Sequence, residues 1–141
     1  MKTLALTVLF GVAGVLSAAD IKDPAKSGPA YDTATVVDVT GVVTDLREAP
    51  KGSPLEGISL TIKVKNDTLN VYVAPADFLK MLDAKFAKND EVQVAGSKVK
   101  FEGAELILAR EVRLGKMTLM VRDKEGTPFW KYFSKAIPTG L

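Results

Sequence analysis

From Ile58 to Val73 apolar and polar residues trade places at almost every step, and a helix built on that stretch would scatter its apolar set around the whole circumference. Ile58, Leu60, Ile62 and Val64 alternate with Ser59, Thr61, Lys63 and Lys65. After Asn66-Asp67, which has tight-turn chemistry, Leu69, Val71 and Val73 alternate with Asn70 and Tyr72. A period of two sends one set to a buried face and the other to a solvated one, so these residues predict a β-hairpin. Before it, Thr33–Leu46 is rich in Val and Thr, and Gly41 falls where the alternation changes phase, as a bend or bulge in one long strand would require. Arg47–Gly57, with two prolines and two glycines, reads as a linker.

The period changes once. Pro75 opens a predicted helix over Ala76–Phe86, with Asp77 at its positive end and Phe78, Leu79, Leu82 and Phe86 on one face. Alternation then returns through Val92, Val94, Val99 and Phe101, turns at Glu102-Gly103, and runs back along Ala104–Leu114. A second turn at Gly115-Lys116 leads into Met117–Arg122. The expected fold is therefore all-β with one short helix: a five-stranded, OB-fold-like Greek-key barrel plus an extra C-terminal strand. Other small barrels, SH3-like ones among them, share the alternation. A helix between the third and fourth strands favours the OB arrangement, where it plugs the barrel end.

The first nineteen residues do not belong to this pattern. Lys2 is followed by an apolar run from Leu4 to Leu16 and by small Ser17, Ala18 and Ala19 before polar Asp20. Charge, apolar run and small-residue cleavage site make a secretory signal peptide over residues 1–19. The run is shorter than the roughly 20 residues that span a bilayer, so no membrane span is expected after cleavage. Residues 20–32, carrying two prolines and no periodicity, read as a flexible lead-in; 33–133 form the barrel domain and 134–141 a C-terminal tail. The expected location is periplasmic or secreted.

The stretch from Val36 to Trp130 resembles a group of small exported bacterial OB-fold proteins, including magnetosome-associated MamS-like and other periplasmic OB-domain proteins. The pieces that carry the resemblance are Val73–Pro75 with Phe78 and Leu79, Val92–Val99, and the tail Leu119–Trp130. The resemblance implies a periplasmic address and a binding or accessory role, and it brings no catalytic motif with it.

The chain contains no His and no Cys. Ser–His and Cys–His nucleophile pairs are thereby excluded, as are zinc or copper sites built from imidazole and thiolate. No P-loop or dinucleotide-binding glycine motif is present, and Gly11 and Gly14 lie in the leader. Asp38, Asp45, Asp123 and Glu125 could offer oxygen to Ca²⁺, but Asp123–Gly126 reads first as an acidic β-turn. No cofactor, metal or enzymatic activity is expected. Of 19 Lys and Arg and 17 Asp and Glu, only Lys2 lies in the leader, which leaves 18 against 17. A domain so close to neutral lacks the excess charge that drives phosphate-backbone binding.

The candidate ligand-binding residues fall in three groups. Lys63, Lys65 and Tyr72 lie on the outward face of the hairpin, where OB-folds hold oligonucleotides or oligosaccharides; one aromatic and two lysines make a thin stacking platform, and a solvated strand face is the ordinary reading. Arg110, Arg113 and Arg122 are three of the four arginines, and Arg is suited to carboxylates and other anions. Arg110 shares a side with Leu106 and Leu108, and its ordinary reading is a salt bridge to Glu111 or Glu105. Phe129, Trp130 and Phe133 belong to a dense aromatic cluster that either docks a partner or folds back to seal the barrel. The expected function is a non-enzymatic periplasmic binding or accessory protein that recognises a protein partner or small ligand of the cell envelope. The alternative is an oligonucleotide- or oligosaccharide-binding OB domain, with nucleic acid disfavoured.

Overall fold

The structure, a computed structural model, describes residues 28–132. The leader, residues 20–27 of the lead-in, Phe133 and the C-terminal tail lie outside the described residues. A 3-10 turn at Thr33–Thr35 precedes β1 (Val36–Ala49), β2 (Gly57–Val64), β3 (Asp67–Ala74), α1 (Ala76–Met81), β4 (Glu91–Phe101), β5 (Ala104–Leu114) and β6 (Met117–Met120).

These strands form one sheet in the order β3-β2-β1-β4-β5-β6, and a further pairing between β3 and β5 closes it on itself. The closing pair is parallel, Val71 beside Ile107 and Tyr72 beside Leu108, whereas every other strand pair is antiparallel. A barrel joined in the order β1-β2-β3-β5-β4 and back to β1 is the OB topology. β6 continues along β5, from Leu114 back to Glu111, beyond the point where β3 leaves it.

β1 is long because it serves two neighbours. Val36–Val42 pairs with β4 and Val42–Ala49 with β2. Gly41 sits at this exchange of partners, where a Cβ would lie 2.7 Å from the Lys63 carbonyl oxygen and 2.8 Å from a Val64 methyl. The strand also differs from its expected bounds at both ends. Thr33–Thr35 is a turn because the Asp32 side chain accepts a hydrogen bond from the Ala34 amide at 2.8 Å. At the other end Arg47, Glu48 and Ala49 stay in the ladder opposite Ser59, Ile58 and Gly57. The hairpin turn between β2 and β3 is Lys65-Asn66, one residue earlier than expected, with Lys65 in the left-handed region at φ 58°.

The interior is hydrocarbon. Val43, Leu60, Ile62, Val71, Val73, Val92, Val94, Ile107 and Val112 are buried in one cluster, which Phe78 and Leu79 of α1 close at one end. The helix is shorter than its expected range. Asp83 turns into the left-handed region at φ 55°, and the Ala84 amide reaches back to the Leu79 carbonyl at 2.9 Å. Leu82 is consequently exposed, and Phe86 packs on the core from a loop rather than from the helix face.

Candidate functional site

Strand β3 is buried on both sides, which alternation alone does not announce. Val71 and Val73 face the interior; Tyr72 between them faces out, yet it is only 5% exposed. It heads a second cluster outside the barrel with Leu106 and Leu108 of β5, packed against Tyr31, Leu55, Val99, Phe101 and Trp130. The Tyr72 hydroxyl donates to the Glu56 carbonyl at 2.7 Å, which ties the β1–β2 loop down over the strand. Trp130 touches both clusters, edge-on to Tyr72 at 6.3 Å and to Phe78 at 5.6 Å between ring centroids.

Arg122 lies at the centre of this outer layer and is 8% exposed. Its guanidinium carbon sits 5.1 Å from the Trp130 ring centroid on one contact and 5.8 Å from that of Tyr31 on another. Nη1 donates to the Gly126 carbonyl at 2.9 Å, and Nε is buried with no partner among the described residues. Among the described residues no carboxylate lies within ion-pair distance of it. Burial therefore pulls the guanidinium pKa below its ordinary value, an effect the nearby Tyr72 and Tyr31 hydroxyls oppose. Burial likewise raises the Tyr72 phenol far above its ordinary range, against the opposing pull of the Arg122 charge.

The loop after β6 is shaped to hold this arginine. Asp123 Oδ1 accepts from the amides of Glu125 at 3.0 Å and Thr127 at 2.8 Å, so that carboxylate is committed to its own turn. Gly126, at φ 94°, leaves no room for a side chain: a Cβ would fall 2.3 Å from the Tyr31 ring. Absence of a side chain there lets Tyr31 pack directly on the loop beside the guanidinium.

Two hollows flank Leu55 on this face. One, of about 410 Å³, is lined by Arg122, Trp130, Tyr72, Leu108, Glu56 and neighbouring prolines. The other, of about 400 Å³, lies between Arg47, Ser59 and Asn70 on one side and Phe101, Glu102 and Glu105 on the other. In the second, Arg47 donates to Asn70 Oδ1 at 3.3 Å, and Thr61 shares that acceptor.

The candidates named from sequence are thus dispersed. Lys63 and Lys65 are exposed at the β2–β3 turn, away from both hollows. Tyr72 is not a stacking platform, because the outer layer covers it. Arg113 is exposed and bound to Glu111 at 2.7 Å. Arg110 is half-buried and lacks the ion pair expected for it: Glu111 is held by Arg113 and Glu105 by Lys98. The Arg110 carbonyl accepts from the Val121 amide at 2.8 Å, beside an irregularity in the β4–β5 ladder. Phe129 is half-buried against the core, and Trp130 folds back as a seal; Phe133 lies outside the described residues. Arg122, Trp130 and Tyr72 alone are brought together. Tyr31 and Asp32, counted from sequence with the lead-in, are built into the domain, Tyr31 against Gly126 and Asp32 through its amide to Ser97 Oγ at 2.9 Å. A lone Tyr next to an Asp suited to capping was the available signal.

A family model described as the MamS/MamX magnetosome protein family matches residues 35–119. The chain belongs to that family. The match to the MamS/MamX family takes in the whole barrel and ends before Arg122 and Trp130, while Tyr31 precedes it. No curated protein matches the chain. Among solved structures, a chain of the S. pombe Stn1–Ten1 complex is similar at 16% identity and a TM-score of 0.42, over 71% of this chain and 66% of that one. The OB assignment of this MamS/MamX member rests on its strand pairings.

Proposed function

We propose that the chain is a non-enzymatic binding or accessory domain of the bacterial cell envelope, which recognises a protein partner or small ligand on the outer face of β3 and β5. One observation carries this reading: the only buried cation without a counter-charge among the described residues opens on a hollow at that face. A site of this kind is concave, largely side-chain lined, and organised around one fixed polar group. Lack of His and Cys supports a role without covalent or metal chemistry. The envelope address rests on the leader pattern of residues 1–19. Lys63 and Lys65, isolated from both hollows, give the polymer-binding alternative little to build on.

Leu55 forms a wall of both hollows and is half-buried, so Leu55→Asp alters the face without emptying the core. The expected result is loss of whatever partner or ligand the wild-type chain retains from an envelope fraction, with an unchanged far-UV spectrum. Undiminished retention would show that this face is not the binding surface. N-terminal sequencing of the exported chain is expected to begin at Asp20; a retained Met1 would remove the support for the address.

A further inference from the structure

We infer that the Arg122 hollow is a receptor site for a small organic monocarboxylate, an inference that rests on the binding role proposed above and names its ligand class. Arg122 is more than nine-tenths buried, and among the described residues its Nε has no partner and no acidic side chain neutralises it. A guanidinium taken out of water in this way has only the two aromatic rings and one carbonyl as described partners, and Arg122 lines the hollow with its charge unneutralised, which favours an anion there. Both rings contact the guanidinium, and its planar fork is matched best by a carboxylate.

The surroundings limit what that anion can be. Among the described residues, Arg122 and Glu56 are the only charged side chains lining the hollow, and Glu56 Oε1 is tied back to the Gly52 amide at 2.9 Å. One cation opposed by one rim carboxylate suits a monoanion and disfavours a phosphate dianion. Leu55, Leu108, Tyr72 and Trp130 supply contact area for an organic body. The volume, about 410 Å³, is near the small end of ligand sites, roughly 300–1,000 Å³. Tyr31, Arg122 and Trp130 all fall outside residues 35–119, so the charge and its clamp are supplied by segments flanking the family match.

Trp130 is the only tryptophan of the chain, and its ring touches the guanidinium, so its emission reports the site directly. The exported chain is titrated with hexanoate, hexanamide and inorganic phosphate at constant ionic strength. Hexanoate is expected to give a saturable change that neither other probe gives. Arg122→Gln is expected to weaken hexanoate by at least about tenfold, as loss of a charge-assisted contact does. Glu56→Gln keeps an acceptor for Gly52 but removes the opposing charge, and is expected to tighten hexanoate by about threefold. Equal response to hexanamide or to phosphate overturns the inference, as does an Arg122→Gln chain that is folded and binds unchanged. Should Arg122→Gln lose its far-UV signature, Glu56→Gln decides alone: an unchanged or weaker affinity for hexanoate overturns the assignment. If hexanoate fails while Leu55→Asp still abolishes retention of an envelope partner, the carboxylate falls and the binding role stands. If both fail, so do both readings.

Discussion

Two neighbouring rungs of the barrel seam differ in what buries them. Val71 beside Ile107 faces the interior, in a cluster to which all six strands and the helix contribute; Tyr72 beside Leu108 faces outward and is nearly as fully enclosed. The inner rung is covered by the strands themselves. The outer rung is covered by Tyr31 and Trp130, from opposite ends of the described chain, and by Leu55 from a loop. Inside, only hydrocarbon is enclosed. Outside, the Tyr31 hydroxyl and the Arg122 Nε are enclosed as well, and among the described residues they have no hydrogen-bond partner. Burial of the first kind serves stability; burial of the second leaves polar capacity unused, which is the physical mark of a site rather than of a core.

Substitutions on the two sides should separate accordingly. Leu60→Ala empties part of the interior and is expected to cost about 3 kcal/mol, read from the midpoint of denaturant unfolding. A much smaller loss would mean that the interior is loosely packed and that the contrast is false. Trp130→Ala should cost less, about 2 kcal/mol, because the ring is only half-buried. It should also return the Tyr72 phenol toward ordinary titration in an absorbance experiment; an unchanged phenol would show that another group provides the cover.

Alkaline pH tests the same cover without mutation. The folded Tyr72 pKa lies above that of the unfolded chain, about 10. The neutral phenol is therefore favoured by folding, and its contribution is complete below about pH 10 and declines above it. The expected slope is a loss of up to about 1.4 kcal/mol per pH unit, absent in Tyr72→Phe. An identical slope in that variant would assign the alkaline loss elsewhere. Lys63→Ala, on neither side of the seam rung, should change stability by less than about 0.5 kcal/mol and leave hexanoate affinity unaltered.

The inner half of this contrast was legible in the sequence. Alternation in Ile58–Val64 and Leu69–Val73, the turn residues Glu102-Gly103 and Gly115-Lys116, and the displaced phase at Gly41 specify strands, hairpins and the place where β1 changes neighbours. They do so because each depends on residues close in sequence. The helix was legible in its start and not in its end, since Leu82 and Phe86 keep helical spacing although the chain leaves the helix at Asp83 and Phe86 reaches the core from a loop. The outer half was legible in part. Arg122 and Trp130 stood out by residue type, and folding back of Trp130 was one of two readings. Tyr72 was read as exposed because period-two alternation assigns it to the solvated side, and nothing nearby in sequence reveals that Trp130 and Tyr31 return to cover it. Contacts between distant segments leave no periodic trace.

Tyr31 on Gly126, with Arg122 between Tyr31 and Trp130, also sets an order of events. Strand pairs such as β2–β3 can form as soon as their own hairpin exists, but this clasp needs residues from both extremities at once. Contacts of such high sequence separation are slow to form and come late. A nascent chain that ends at Met120 holds every strand and lacks the fastening, so the pocket is the last part of the molecule to mature and the first that C-terminal shortening would erase.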